Sequence, residues 1–278
     1  MIKKILVGVG YDPESDIALL YAGKLGYSLN AMVTAVHIVQ EEQIPASWPI
    51  KKLIEEDIED ERQRVDKIFS ELIKRKNLPH IHFKKVIKGD PADHLIKEAE
   101  KEGYDLIVIG HRNLANIKKL FLGSVSSKVV EYANISVLIA KQSSGPSKVL
   151  FCTDGSKCAE EAIRFGGEVI RELGCTAMVL NVTPWITDET ERLAKDVAEE
   201  GAEILRGFGI DASAKAIFKK EITKEILNEA DKGGFDLIVV GSRGLSGIHR
   251  FLLGSATLKL INQTRQSILI YKHYPRNK

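Results

Sequence analysis

Residues Phe235–Thr257 read FDLIVVGSRGLSGIHRFLLGSAT, an apolar run that passes directly into a loop with regularly spaced glycines. The chain contains this arrangement twice, because Tyr104–Gly110 reads YDLIVIG and is followed by HRNLANIKKLFLGSVS. Self-similarity of this kind marks a repeated structural unit. The 278 residues are enough for two ordinary domains, so we expect two copies of one unit in tandem.

Two further pairs of segments extend the repeat to both ends of each copy. KILVGVGYD at Lys4–Asp12 is echoed by KVLFCTDGS at Lys148–Ser156, and ISVLIAK at Ile135–Lys141 is echoed by QSILIYK at Gln266–Lys272. The members of the first pair lie further apart in sequence than those of the other pairs, so the first copy carries extra residues. We place this insertion around Glu41–Ile54, a stretch with a tryptophan and two prolines.

The segment Lys141–Lys148, KQSSGPSK, joins the two copies. It is rich in Ser, Gly and Pro and contains no core-forming side chain, which is typical of a flexible connector between domains. The sequence therefore predicts one domain over residues 1–143 and a second over residues 147–278.

Each copy alternates short apolar runs with longer stretches of helical periodicity. The runs are continuously apolar, as in strands that are buried on both faces of a parallel sheet. In the first copy the predicted strands are Ile5–Val9, Val33–Val39, His82–Ile87, Leu106–Ile109 and Val137–Ala140. Alternating β and α elements imply parallel strands joined by right-handed crossovers. We therefore predict an α/β fold with two tandem, doubly wound, five-stranded parallel-sheet domains.

Residue patterns also mark the starts and the buried faces of helices. Asp12 followed by Pro13 is typical of an N-cap and a first helical residue, and Pro91 opens a predicted helix over Ala92–Lys101. One helical face of the second copy consists of Ala159, Ala162, Ile163, Gly166 and Ile170. Doubly wound sheets bind ligands beyond the carboxyl ends of their strands, at a switch in strand order.

The loop after the fourth strand of the second copy has the composition of an anion site. Gly241 ends the strand, where a side chain would block close approach of a ligand, and we expect Gly244 to permit a positive φ. Gly254 and Ser255 begin the last helix, whose free N–H groups, dipole and hydroxyl suit a phosphate chain. The loop lacks the GK[ST] ending of a Walker A loop, and neither first strand carries GxGxxG. A dinucleotide-binding dehydrogenase is therefore disfavoured.

The spacing G-2x-G-9x-G-[ST] after a DLIVVG-like strand resembles the ATP-binding signature of the universal stress protein family, and the repeated strands extend the likeness over nearly the whole chain. The resemblance implies a Rossmann-like fold of the adenine nucleotide alpha hydrolase type. Family members commonly pair through their final strands, so we expect the two copies to pack as an internal pseudo-dimer. The implied role is a nucleotide-binding stress-response or regulatory module without strong catalysis.

The resemblance carries binding residues over to the second copy wherever its motif matches. Asp154 corresponds to an acidic residue near the ribose or phosphates, and Val182 corresponds to an apolar position beside the adenine. Arg243 is either a phosphate-neutralising side chain or a solvated loop arginine, and both interpretations stay open. The predicted set is Thr153, Asp154, Val182, Val240, Gly241, Arg243, Gly244, Gly254, Ser255 and Thr257. Its expected ligand is ATP, and the presence of Mg²⁺ or of another adenine nucleotide is left open.

The first copy departs from the motif in two places. Asn113 replaces the second loop glycine, and its side chain would crowd a phosphate path. Gly10 stands where the second copy has Asp154, and Asp12 two residues later has the position of a helix cap. We therefore expect the tight ATP site to lie in the second copy.

Composition excludes several other classes of protein. The formal net charge is +2 with both signs abundant, which is no electrostatic footprint for nucleic acid. No apolar stretch has the length of a membrane span and no signal peptide is recognisable, so we expect a cytoplasmic location. The three cysteines form no CxxC pair and are expected to be small core residues.

No candidate catalytic set emerges from the sequence, which has no GxSxG elbow, HExxH or Cys/His metal spacing. His37 is expected to be a satisfied core residue, while His111 and His249 are expected at the loop surface. Lys219 and Lys220 are expected to face solvent rather than phosphate. We expect weak ATP hydrolysis at most. An ATP-using enzyme of the adenylating type, a ligand-free interaction protein and further pairing of chains into a homodimer stay open as alternatives.

Overall fold

The computed structural model describes residues 1–10, 12–39, 81–111, 123–184, 186–244 and 253–272, together with individual residues between 63 and 80. The strands of the first half are β1 (Lys4–Val9), β2 (Met32–Val39), β3 (Ile81–Lys88), β4 (Leu106–Gly110) and β5 (Ser136–Ala140). Those of the second half are β6 (Lys148–Thr153), β7 (Thr176–Thr183), β8 (Asp211–Phe218), β9 (Leu237–Gly241) and β10 (Ser267–Tyr271). The helices are α1 (Pro13–Leu29), α2 (Pro91–Lys101), α3 (Ser124–Tyr132), α4 (Lys157–Ile170), α5 (Asp188–Gly207), α6 (Ile222–Lys232) and α7 (Ser255–Gln263).

These strands form one sheet in the order β3-β2-β1-β4-β5-β10-β9-β6-β7-β8. Within each half every neighbouring pair is parallel, and the first strand of the half lies between its second and fourth strands. The doubly wound, five-stranded parallel sheet predicted for each copy is therefore confirmed. The place where the chain turns from one side of the first strand to the other is the switch point of each half.

The two halves meet at β5 and β10, which pair in antiparallel orientation with Leu138 opposite Leu269. Both strands are fully or almost fully buried, and each would present a bare apolar edge if its half stood alone. Pairing satisfies the hydrogen bonds of both edges at once. The predicted internal pseudo-dimer through the final strands is confirmed.

Apolar side chains cover both faces of the sheet. Along β1, Ile5 and Val7 contribute to one buried cluster and Leu6 to the cluster on the opposite face. This two-sided burial explains the continuous apolar runs of the strands. The predicted apolar face of α4 is also buried, at Ala159, Ala162, Ile163, Gly166 and Ile170.

Helix starts follow the capping signals of the sequence. The Asp12 carboxylate accepts a hydrogen bond from the backbone N–H of Ser15, and Pro13 is the first residue of α1. Pro91 likewise opens α2 behind the cap residue Asp90. The insertion that we place around Glu41–Ile54 lies outside the described residues. Among the helices that are described, none is both long enough and apolar enough to cross a membrane.

Candidate functional site

A cleft of about 530 Å³ opens at the carboxyl ends of β6, β7 and β9, at the switch point of the second half. Its remaining walls come from α5, from the start of α6 and from the N-terminus of α7. All ten site residues predicted from the sequence line it: Thr153, Asp154, Val182, Val240, Gly241, Arg243, Gly244, Gly254, Ser255 and Thr257. Residues that lie more than 100 positions apart in the chain are thus brought to one opening.

The end of β6 is held in shape by local hydrogen bonds. The Thr153 hydroxyl accepts from the backbone N–H of Gly155 at 3.1 Å, and the Asp154 carboxylate accepts from the N–H of Ser156 at 3.0 Å. Gly155 has φ +79°, a left-handed conformation that suits glycine. On the neighbouring strand, Nδ2 of Asn181 donates a hydrogen bond to the Thr153 carbonyl at 3.1 Å. This bracing presents Asp154 at the cleft, exposed to solvent.

Gly244 does not have the positive φ that the sequence analysis expected, so that interpretation is wrong. The space around it gives a different reason for glycine. A Cβ atom built at Gly244 would collide with Oδ2 of Asp154. The missing side chain therefore leaves the Asp154 carboxylate its place beside Gly244. Because this carboxylate is the exposed end of a flexible side chain, a Cβ would displace it at little cost to folding.

Packing within the protein gives Gly241 a second reason to be glycine, beside the expected approach of a ligand to the cleft that it lines. A Cβ there would lie 3.0 Å from the Cys158 Sγ and 3.2 Å from the carbonyl oxygens of Cys158 and Arg243. The first half repeats the arrangement, because a Cβ at Gly110 would collide with the backbone carbonyl of Glu14 in α1. Each glycine lets a helix start close to the strand end.

The N-terminus of α7 faces the cleft without a side-chain cap. Gly254 is the N-cap residue, and its N–H donates to the carbonyl of Ser242 at 2.9 Å. The Thr257 hydroxyl donates to the Gly241 carbonyl at 3.1 Å, which ties the helix start to the end of β9. A helix N-terminus in this position offers backbone N–H groups and a partial positive charge to an anion. Arg243 is half-buried and also lines the cleft, so it can add a full positive charge.

The opposite wall of the cleft is apolar, and sequence reasoning found only part of it. Val182 and Val240 were predicted, but Leu193, Ala194 and Val197 of α5 were not. Helical periodicity marks these three residues as one face of a helix without saying which neighbour that face meets. Leu193 is 60% exposed, so the wall includes an apolar side chain that is open to solvent at the cleft.

The first half has a smaller cleft at the equivalent place, about 240 Å³ in volume. Its polar groups are engaged with one another. The N–H of Gly10 donates to the Ser15 hydroxyl at 2.8 Å, and Asp12 caps α1 as predicted. Gly123 and Ser124 start α3 beside this cleft, in the positions of Gly254 and Ser255. Asn113 lies outside the described residues.

Two of the histidines have buried rings with different surroundings. His37 donates through Nδ1 to the Val9 carbonyl at 3.0 Å, which confirms it as a satisfied core residue. His111 is only 4% exposed, so its assignment to the loop surface is wrong. Its Nε2 is buried and has no hydrogen-bond partner among the residues that the structure describes. Burial, reinforced by the nearby charge of Lys141, lowers the pKa of His111 to about 4. His249 lies outside the described residues.

The remaining candidate side chains divide between core and surface. Cys175 is buried as expected and donates to the Pro146 carbonyl, whereas Cys152 and Cys158 are only half-buried. Lys219 and Lys220 are exposed, as predicted, and neither lines the cleft. Within the described part of the chain, no group of three or more His, Cys, Asp or Glu residues is arranged to hold a metal ion.

Comparison with known proteins places the whole chain near one family. The sequence profile described as the universal stress protein family matches it twice, over residues 1–141 and 146–272. A universal stress protein of Mycolicibacterium smegmatis is 22% identical over an alignment of 292 positions, which covers 96% of this chain and 96% of the relative. A universal stress protein of Methanothermobacter thermautotrophicus is 32% identical over 145 residues, covering 51% of this chain and 97% of the relative.

A solved structure shows the same fold over both halves. The crystal structure of a universal stress protein from Archaeoglobus fulgidus covers 97% of this chain and 98% of its own, with a TM-score of 0.76 and 21% sequence identity. At that identity the likeness concerns the fold. The match over both halves agrees with two tandem Rossmann-like domains in one chain.

Proposed function

The chain belongs to the universal stress protein family, and on that premise we propose that its second half binds one adenine nucleotide. ATP is the proposed ligand, and the protein acts as a stress-response or regulatory module rather than as a catalyst. The proposal concerns the cleft at the ends of β6, β7 and β9. The first half is proposed to bind no nucleotide tightly.

One observation carries this proposal: the lining of one cleft combines an open helix N-terminus and a cation with a set of apolar side chains. Ser255 at the start of α7 and Arg243 in the preceding loop suit phosphate groups. Val182, Val240 and the α5 residues suit a flat apolar ring such as a purine. Asp154 lines the same cleft beside Gly244, and its exposed carboxylate can accept hydrogen bonds from ribose hydroxyls.

The sizes of the two clefts favour the second half as the binding site. Small-molecule sites in proteins measure about 300–1,000 Å³. The cleft of the second half, about 530 Å³, falls within this range. The cleft of the first half, about 240 Å³, falls below it.

Calorimetric titration of the full chain with ATP, ADP, AMP and cyclic AMP tests the proposal. We expect saturable binding of ATP at one site. Replacing Gly254 with Ala should weaken it at least tenfold, because a methyl group would stand where phosphate approaches. The protein itself has room for this methyl, since the nearest atom, the Ser242 carbonyl oxygen, would lie 3.7 Å from it.

Gly207→Ala is the matched control for this variant. Gly207 ends α5, and a Cβ there would meet no atom within 4 Å. Gly254→Ala should lower stability by about 1 kcal/mol, because alanine is a poorer N-cap than glycine, but it should still fold. The control should fold as well and should keep the ATP affinity of the parent. An unchanged affinity in Gly254→Ala would show that phosphate does not lie against α7. Absence of binding for all four nucleotides would refute the proposed function.

Hydrolysis is a separate question from binding. Among the described residues that line the cleft, Asp154 is the one carboxylate. It already accepts a hydrogen bond from the Ser156 N–H, and the sequence offers no partner set to make it a general base. We therefore propose that steady-state ATP turnover is absent or very slow. A robust rate that disappears on Asp154→Ala would contradict this.

A further inference from the structure

Two lysines in equivalent positions form hydrogen bonds across the junction between the halves. Lys141 follows β5 and Lys272 follows β10. The backbone N–H of Lys141 donates to the Ser267 hydroxyl at 3.1 Å, and that of Lys272 donates to the Ser136 hydroxyl at 3.2 Å. The backbone of each lysine is thus hydrogen-bonded to the paired strand of the other half, and its side chain extends onto that half.

The side chain of Lys141 ends at the C-terminus of α7. Its Nζ donates to the carbonyl of Ile261 at 3.1 Å and to that of Thr264 at 2.6 Å. Ile261 lies in the last turn of α7 and Thr264 is its C-cap residue, so neither carbonyl has an intrahelical donor. A cation at this end also interacts favourably with the helix dipole.

The contact in the opposite direction is weaker. Lys272 Nζ donates to the carbonyl of Glu131 in α3 at 3.4 Å, which is one long hydrogen bond in place of two shorter ones. The first half therefore holds a helix of the second half more firmly than the second half holds its equivalent. The firmly held helix is the one whose N-terminus lines the larger cleft.

Helix α7 is short enough for restraint at one end to affect the other. Its nine residues span about 13 Å. At the cleft it is tied by the hydrogen bond from Thr257 to Gly241, and at the far end by Lys141. Burial lowers the pKa of Lys141 to about 7, consistent with an amine that has exchanged water for these carbonyls.

We propose that the first half serves as a positioning domain for the cleft of the second half. Lys141 is its positioning residue: it fixes α7 from the C-terminal end, so that the N-terminus of the helix stays in place to receive phosphate. The inference rests on the proposed function and assigns a role to the half whose own cleft is small. It also predicts that changes in the first half affect nucleotide binding in the second half through α7.

Titration of full-length variants with ATP tests this role. Lys141→Met should weaken ATP binding about tenfold, because α7 loses both donors at its last turn. Lys141→Arg retains donors and a charge and should restore most of the loss. Lys272→Met removes the equivalent contact to α3 and should change the affinity less than twofold at high salt. High salt is needed because Lys272 also interacts with the charge of Arg243, and such an effect is screened.

Each outcome bears on the proposal. Equal losses in the two Met variants at high salt, or an unchanged affinity in Lys141→Met, would show that the lysines only hold the junction together. Failure of the unmodified chain to bind ATP would refute the proposed function and this inference with it.

A measurement on the unmodified chain covers the case in which Lys141→Met fails to fold. Coupling between sites is reciprocal, so ATP should slow amide hydrogen exchange in β5 of the first half as well as in α7. Slowing confined to the second half would overturn the proposal even if ATP binds.

Discussion

At the scale of the residue, Gly244 and Asp154 are a coupled pair. The absent side chain of Gly244 leaves room for the Asp154 carboxylate, and a Cβ would force that carboxylate to move. We predict that Gly244→Ala weakens ATP binding at least tenfold, or about 1.4 kcal/mol, because the displaced carboxylate loses its place at the cleft. Calorimetric titration measures the loss.

A double-mutant cycle identifies the cause of this loss. In an Asp154→Ala background the carboxylate is gone, so Gly244→Ala should cost little further affinity. If the loss of affinity in the double variant equals the sum of the losses in the two single variants, the coupling is contradicted. They would mean that Gly244 acts through direct contact with the ligand.

His111 gives a pH-dependent contribution to stability. Its folded pKa of about 4 lies below the ordinary value of 6.5, so between these values the unfolded chain binds a proton that the folded chain does not. The contribution of His111 to the free energy of unfolding is therefore at its maximum above pH 6.5 and is lost as the pH falls towards 4. The loss amounts to at most about 3.5 kcal/mol, at about 1.4 kcal/mol per tenfold change in proton affinity.

Denaturant unfolding at several pH values checks this prediction. His111→Gln cannot titrate, so the difference in unfolding free energy between parent and variant should shrink or reverse from pH 7 to pH 4. A difference that stays constant across this range would show that His111 takes up its proton equally in both states.

At the scale of the element, helices α3 and α7 allow binding and stability to be separated. Both start with an exposed serine behind an N-cap glycine, at Ser124 and Ser255. An aspartate at either position interacts favourably with the helix dipole, worth about 0.5 kcal/mol. At Ser255 the same negative charge would repel phosphate.

We therefore predict that Ser255→Asp and Ser124→Asp raise stability by similar amounts, whereas only Ser255→Asp weakens ATP binding, by at least tenfold. Chemical denaturation and ATP titration of both variants provide the two measurements. Equal effects on affinity would indicate that both helices take part in nucleotide binding.

At the scale of the whole molecule, two similar halves are predicted to bind only one nucleotide tightly. The first-half cleft has less than half the volume of the second. In it the Gly10 N–H is occupied by Ser15 and Asp12 is engaged as a helix cap. Titration should therefore give a stoichiometry of at most one tight ATP per chain.

Substitutions in the two halves distinguish the site. Asp154→Ala should weaken the tight site, while Asp12→Asn, which keeps a capping side chain, should leave it nearly intact. Two equivalent sites in the unmodified protein would show that the differences between the clefts do not matter for binding. Loss of the tight site on Asp12→Asn alone would place the nucleotide in the first half.

The sequence by itself determined the fold, and it predicted ten of the residues that line the candidate site, although not the α5 part of its apolar wall. Strands buried on both faces must be continuously apolar, and caps such as Asp12 with Pro13 act within one helical turn, so both can be recognised locally. The internal repeat then fixed the order of elements in both halves. The loop spacing after β9 identified Gly254 and Ser255 as the start of a helix before any contact was known.

Only the tertiary structure decided why individual residues stand where they do. Gly244 was expected to adopt a positive φ, but its missing side chain instead leaves room for Asp154. Gly241 lines the cleft as expected, and its missing side chain also leaves room for Cys158, which is far away in sequence. The reach of Lys141 onto α7 likewise depends on the β5–β10 junction, and the burial of His111 was not visible in any local pattern. Such contacts join segments whose separation in the chain carries no periodic signal, so local patterns predict the elements but not the neighbours that those elements meet.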